Sequence, residues 1–246
     1  GFRADNALAV DDPLRLNGWL TNLGERVGLE ITSYSAMLAA LTERHTAFHV
    51  AGCRLSDHGL EDLDAEPYTA VEVERIFQKA LSGQAADLHE MRIYRSAVLY
   101  ELACMDADAG WVQQFHLGAL RNTNRRGFEE LGRDVGYDSI GDPPSAQSMA
   151  RFFDRLEQSD KLAKTIIYNL DPAQNDLFAA MIGNFQGDGV RGRMQFGTAW
   201  WYNDQLDGMR RQMDALSNSG LLSCFVGMVT DSRSFLSVSY TNLRAH

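Results

Sequence analysis

The sequence predicts an α/β fold built on a parallel sheet, and three observations carry that expectation. Short apolar runs alternate with helix-periodic segments about six times along the 246 residues, the pattern of strand–helix units that feed a parallel sheet. Histidine, aromatic and polar residues gather just after the apolar runs rather than before them. That bias favours a barrel, or an open sheet with its ligand at the carboxyl edge. The last apolar run, 225–229, ends abruptly in Thr230, Asp231, Ser232 and Arg233. Residues two apart on a strand share a face, so Asp231 and Arg233 are expected to point together at that edge.

The elements follow in order. Residues 1–5 read as the tail of a strand running into a polar loop. A helix is expected over 13–27, with Leu14, Leu16, Trp19, Leu20 and Leu23 near helical spacing. Thr32 and Ser33 offer caps to a second helix carrying Met37, Leu38 and Leu41. Residues 47–52 then read as a buried strand, and 53–59 as a loop rich in reactive side chains. The acidic stretch 60–68 reads as a solvated excursion. Helices are expected over 69–81 and 85–107, the second stopped by Gly110. Residues 111–118 form the next strand, with His116 near its end. The polar, glycine-punctuated stretch 119–142 is long for a connection, and long connections are more often functional than accidental. Ser145 opens an amphipathic helix that turns Met149, Phe152, Phe153 and Leu156 inward. Residues 164–170 are a strand, and Pro172 starts a helix running to about 185. A glycine-rich turn, 187–192, leads to the strand 193–199 and the run Trp200–Trp201–Tyr202. A helix with Met209, Met213 and Leu216 stops at Gly220, before the final strand.

Composition narrows the partners. Hydrophobic residues make up 45% of the chain, ordinary for a globular protein. No apolar run reaches the roughly 18 residues of a spanning helix, so no membrane partner is expected. A net charge of −10 argues against a general nucleic-acid binder, yet a few local arginines would suffice for a small anion. Cys53, Cys104 and Cys224 are far apart. They give neither metal-finger spacing nor a disulfide framework, which favours a reducing, cytoplasmic compartment. Gly1 is not a natural start, nothing before Asp11 resembles a signal peptide, and the chain is expected to begin inside a longer gene. No Gly-x-Gly-x-x-Gly or Walker loop follows a strand, and no nucleophile elbow is present.

Each candidate residue has a functional and a plain reading. Asp231 has the chemistry to bind a metal or move a proton, and Arg233 to grip an anion with its fork; an ion pair closing a loop is an even alternative. His116 suits metal binding or carbonyl polarisation, against a hydrogen-bonded histidine at the strand end. His58 sits beside Asp57, which would orient it or simply hold a turn. His49, in an apolar run, reads as a core histidine; His45 and His89 read as exposed helix residues. Arg3 suits an anion, against a solvated terminal arginine. Trp200 and Trp201 suit a sugar face, although one of them is expected to be core. Arg121, Asn122 and Asn124 suit hydroxyls, against loop capping. The residues alone support an α/β enzyme with a polyhydroxylated or carboxylate ligand.

The strings FHLGALRNTN (115–124), GYDSIGD (136–142), KTIIYNLDP (164–172), MIGNFQG (181–187), QFGTAWWYND (195–204) and FVGMVTDSRSFLS (225–237) closely resemble uronate isomerase, as do FRAD (2–5) and GCRLSDHGLE (52–61). The resemblance runs in order to about residue 237. It implies a truncated (β/α)8 barrel of the TIM type, similar in fold and metal chemistry to the amidohydrolase superfamily. The implied activity interconverts D-glucuronate with D-fructuronate, and D-galacturonate with D-tagaturonate, with one divalent metal, commonly zinc. It further implies that Asp231 ligates the metal and shuttles protons, and that Arg233 binds substrate. Arg3, His116 and Trp200 are implied to share the substrate pocket. The chemistry agrees. A positioned carboxylate base supplies roughly 10²–10⁴-fold, a metal stabilises the enediolate oxygens, and an arginine fork suits a uronate carboxylate better than lysine. Arg3, Arg121 and Arg233 would supply local positive charge in an acidic chain.

Departures matter as much. The family carries a His-x-His metal motif after its first strand, and this sequence has none. The expectation is therefore that two strands, two ligating histidines and an acid–base tyrosine lie outside the chain. Residues 238–246 no longer follow the family and read as a translated scar. A partial barrel with helical insertions is expected over 1–237. Such a piece should bind metal poorly, isomerise little, and expose a sheet edge. The implied partner is a small sugar acid, with a homo-oligomer left open. Competing readings are a superfamily hydrolase of a lactone or amide, and a scaffold without a working site.

Overall fold

The computed structural model describes residues 1–133, 135–142, 145–187, 189–197 and 200–226. It divides into two compact units, one of residues 1–58, 63–113 and 147–164, the other of residues 59–62, 114–146 and 165–246.

Helices dominate the first unit, and their ends are written in the sequence. Helix α1, Pro13–Val27, starts with Pro at its first position and the Asp12 carboxylate accepting from Arg15 N–H; Gly28 closes it at φ 67°. Helix α2, Tyr34–Val50, is capped by Ser33, whose hydroxyl accepts from Ala36 N–H. Helices α3, Ala70–Leu81, and α4, Leu88–Asp108, each begin with a reciprocal capping box, Thr69 with Glu72 and Asp87 with Glu90. Their inner faces bury Leu16, Met37, Leu41, Ile76, Phe77 and Tyr94 almost completely. Helix α6, Ala146–Gln158, buries Met149, Phe152, Phe153 and Leu156 as its spacing predicts.

Four strands hydrogen-bond in the order β1-β2-β5-β6: Leu55–Leu60, Val112–Leu117, Lys164–Asn169 and Met194–Phe196. Strand β5 is buried on both faces after Lys164, as a parallel strand covered on both sides should be. It pairs in parallel with β6, Ile166 opposite Gln195 and Ile167 opposite Phe196. In the second unit, helices α7, Asn175–Gly183, and α8, Leu206–Ser219, support this pair. Phe178 meets Phe196 at 6.0 Å between ring centroids, and buried Gln212 donates to the carbonyls of Phe196 and Gly197. The expected tail of a strand at the amino terminus exists as a single parallel bridge, Phe2 to Ser56.

Three expectations are corrected. Residues 47–50 are the last turn of α2, and the strand begins at Leu55, inside the segment read as a loop. Met37, Leu41 and His45 face the interior at helical spacing while Val50 is 82% exposed, so the apolar run at 47–51 is the outer end of a helix. The acidic stretch 60–68 is anchored rather than solvated: Leu63 is fully buried, the Asp62 carboxylate accepts from Ser145 N–H, and Glu66 N–H donates to Ser96 Oγ. The long connection 119–142 is structured, with strands β3, Ala119–Leu120, and β4, Ser139–Ile140, pairing antiparallel around helix α5, Arg125–Leu131.

Of the final strand expected at 225–229, only Phe225 and Val226 are described; they follow a short 3-10 turn, Leu222–Cys224. Asp231 and Arg233, like residues 238–246, lie outside the described residues.

Candidate active site

Strand ends bring together two groups of side chains, one in each unit. In the first unit Arg3 leaves the amino-terminal bridge and is held by two carboxylates, Nε on Asp5 at 2.7 Å and Nη1 on Asp57 at 3.1 Å. His58 is buried on β1, and its Nδ1 lies 2.8 Å from the other Asp5 oxygen. Burial pushes the Asp5 carboxyl up, but His58 and then Arg3 offset that and hold it below the usual carboxylate value. The expected partner of His58, its neighbour Asp57, is not the one it takes. Asp57 pairs with Arg3, and Asp5 bridges Arg3 and His58 through its two oxygens.

In the second unit His116, one residue from the end of β2, lies parallel to Tyr168 of β5, with ring centroids 4.3 Å apart and planes at 7°. Trp200, 6% exposed, meets the same imidazole edge-on at 4.9 Å. Trp200 continues to Trp201 at 4.9 Å, and the Arg121 guanidinium lies 4.5 Å over the Trp201 ring. Arg121 is fixed by Asp138, Nη1 to Oδ2 at 2.9 Å; the second Asp138 oxygen accepts from Asn122 N–H at 2.8 Å. Tyr202 Oη donates to the Asp138 carbonyl at 2.7 Å. Asn122 and Trp201 both have positive φ, 54° and 44°; asparagine adopts that region readily, whereas for tryptophan it costs energy that the surroundings must offset.

The structure thus joins His116 and Trp200, as expected, and makes Trp200 core with Ala119 and Leu170 while Trp201 packs partly buried against them. Arg3 belongs to the first unit. Two histidines differ from expectation. His45 is buried, stacked on Trp111 at 3.8 Å with Nε2 3.0 Å from Asp106. His49 is a half-buried helix residue whose Nδ1 accepts from Trp111 Nε1 at 2.8 Å. Sequence reasoning missed Tyr168, Asp138 and Asp5; only the alternation Ile166, Tyr168 along β5 hinted at the first.

Among the described residues no three or more His, Cys, Asp or Glu side chains gather where they could hold a metal ion. The described part of the chain therefore does not by itself fit the implied metal. A cavity of about 560 Å³ in the second unit, lined by Ile182, Gln186, Arg191, Met194, Leu216 and Cys224, lies at the amino-terminal end of β6, the end that serves stability in parallel α/β folds.

Residues 1–244 match the family described as glucuronate isomerase. The chain belongs to that family. Uronate isomerase from Opitutus terrae is 50% identical over 236 residues, covering 96% of this chain and 50% of that protein. The enzyme of the same name from Cellvibrio japonicus is 49% identical over 238 residues, covering 97% and 50%. The chain spans about half the length of the curated relatives it matches. Among solved structures, uronate isomerase from Thermotoga maritima superposes with a TM-score of 0.88 at 29% identity, over 97% of this chain and 51% of that one. Glucuronate isomerase from Caulobacter crescentus gives 0.85 at 27%, over 97% and 48%. The α/β fold class expected from the sequence, part of a TIM-type barrel, is the one the family shares. Among the described residues no helix is long and apolar enough to cross a membrane.

Proposed function

We propose that the chain serves an aldose–ketose isomerase that interconverts D-glucuronate with D-fructuronate and D-galacturonate with D-tagaturonate. The identity of about one half to relatives named uronate isomerase, across nearly the whole chain, carries this reading. The clustering of His116, Tyr168, Trp200 and Arg121 at strand ends supports it, because aromatic faces and fixed donors suit a polyhydroxylated acid.

The reaction asks for little besides placed protons. A base takes the proton from C2 of the open-chain aldose, and the electrons move through C1 to its carbonyl oxygen as an enediolate. A proton returns to C1 while the proton of the C2 oxygen passes to the C1 oxygen, leaving a ketone at C2 and a hydroxyl at C1. Asp231 is proposed as the carboxylate that carries these protons, and Arg233 as a cation beside the developing oxyanion. His116, steadied by Tyr168 and Trp200, is proposed to hold substrate oxygens, with Trp200 as a wall and Arg3 as a further donor.

A divalent metal, zinc first, and a reducing cytoplasmic setting remain part of the proposal; the three free, half-buried cysteines suit the latter. The 246 residues contain no His-x-His, so we propose that this chain alone turns over little or no uronate. The test is conversion of D-glucuronate to D-fructuronate by the purified chain with added zinc, beside a relative such as the Opitutus terrae enzyme. Activity in the relative with none in the chain is expected; brisk turnover by the chain refutes the shortage of ligands, and hydrolysis of a lactone without ketose refutes the isomerase reading.

A further inference from the structure

We infer that Asn203 is a positioning residue of the substrate site, holding Trp200 against His116; this rests on the uronate reading above, in which both of those residues line the pocket. Asn203 is only 1% exposed, and its side chain works on a strand end rather than on a ligand. Nδ2 donates to the Leu170 carbonyl at 2.8 Å and, less closely, to the Asn169 carbonyl at 3.5 Å, where β5 finishes. Its backbone N–H donates to the Trp200 carbonyl at 3.0 Å. One residue therefore ties the short 3-10 turn after Trp200, Trp201–Asn203, to the carboxyl end of β5.

That tie closes a ring of contacts around the pair. Leu170 N–H donates at 3.2 Å to the carbonyl of Leu117, the neighbour of His116. The Leu170 side chain is buried with Trp200 and Ala119. Across this ring the indole meets the imidazole edge-on at 4.9 Å. Without the Asn203 amide, Trp200 would keep its packing against Leu170 but lose the hydrogen bond that fixes its turn relative to β5. Packing alone is non-directional, so the ring-to-ring geometry depends on the amide.

Two features show what the amide works against. Trp201, between Trp200 and Asn203, sits at φ 44°, a strained conformation that persists when neighbouring groups over-determine it. Asn203, bonded on one side to Trp200 and on the other to Leu170, is such a neighbour. Its Oδ1 is buried with no partner among the described residues, which is a further cost. A leucine of similar size would escape that second cost and surrender both donations. The donations, rather than the volume, are what asparagine supplies at this position.

The test follows the Trp200 indole N–H and the His116 ring protons by NMR in the full chain, during titration with D-glucuronate. Asn203→Leu should shift both sets of signals and weaken D-glucuronate binding by about 10-fold, the upper end of what one neutral hydrogen bond contributes. Gly208→Ala reaches the same turn by a second route, because a Cβ there would come within 2.4 Å of the Asn203 carbonyl oxygen and displace the residue without altering its amide. It should move the same signals, and it carries the test if Asn203→Leu fails to fold. His45→Ala, in the first unit, is the control for general destabilisation: it should lower the melting temperature and leave the Trp200 and His116 signals in place. Unmoved signals in a folded Asn203→Leu chain, a shift that His45→Ala reproduces, or a shift with unchanged D-glucuronate affinity overturns the assignment of Asn203 alone. Failure of the wild-type chain to bind D-glucuronate overturns it together with the uronate reading.

Discussion

The rings of His116 and Tyr168 lie parallel, 4.3 Å apart, and Gly197 is what lets Tyr168 lie there. A Cβ on Gly197 would come within 2.3 Å of Tyr168 Cε1 and 2.9 Å of Ile166 Cγ2. The phenol ring is buried and stacked, so it has little room to yield. Gly197→Ala should cost about 1–3 kcal/mol, the usual range for overpacking, and should shift the His116 ring protons as the stack opens. Wild-type stability in urea with unchanged His116 NMR signals would contradict the coupling.

His45 and Asp106 form a buried pair under Trp111, and Asp106 also accepts from Ser56 Oγ. Removing the imidazole strips a buried carboxylate of one partner and Trp111 of its stacked ring. His45→Ala should therefore destabilise by about 3 kcal/mol, whereas His89→Ala, on an exposed residue, should change stability by no more than about 0.5 kcal/mol. Equal midpoints for the two variants in denaturant would show that the buried pair contributes nothing.

Glu90 supplies a pH dependence. Lys79, above all, then Arg75 and the Asp87 N–H hold its carboxyl down to about 2 from 4.5, against the opposing effect of burial. Because the folded value lies below the unfolded one, the ionised form favours folding. That stability is fully present above about pH 4.5 and is lost as pH falls toward 2. Glu90→Gln should lower the wild-type melting temperature at neutral pH and flatten its decline across that window. A variant as acid-sensitive as the wild type would assign the decline to other carboxylates.

The capping boxes at Thr69 and Asp87 should each behave as local devices. Thr69→Ala removes an acceptor for Glu72 N–H and the hydroxyl bonded to the Glu72 carboxylate, and should cost about 1 kcal/mol. Hydrogen exchange should speed first in the opening turn of α3; uniform acceleration across the chain would speak for a global effect instead.

Much of this fold is legible in the chain because its signals are local. Pro13, Ser33, Thr69 and Gly28 mark helix ends through their own backbone and side-chain hydrogen bonds, and the spacing of Met149, Phe152, Phe153 and Leu156 names a face without reference to any partner. The KTIIYN run, apolar on both faces, announces a covered parallel strand. Misreadings fell where local pattern is ambiguous: an apolar run such as 47–51 fits a strand or a helix end equally, and burial decides it.

The sequence by itself determined the family, the alternation of strands and helices, and the placing of His116 and Trp200 near strand ends, since each depends on residue order alone. Only the tertiary structure decided partners: His58 with Asp5 rather than Asp57, His45 inside rather than outside, Arg121 on Trp201 beside Asp138. Those pairings join residues 17 to 80 positions apart. They are settled by which groups remain without a hydrogen bond once water is excluded, a quantity that no local pattern encodes.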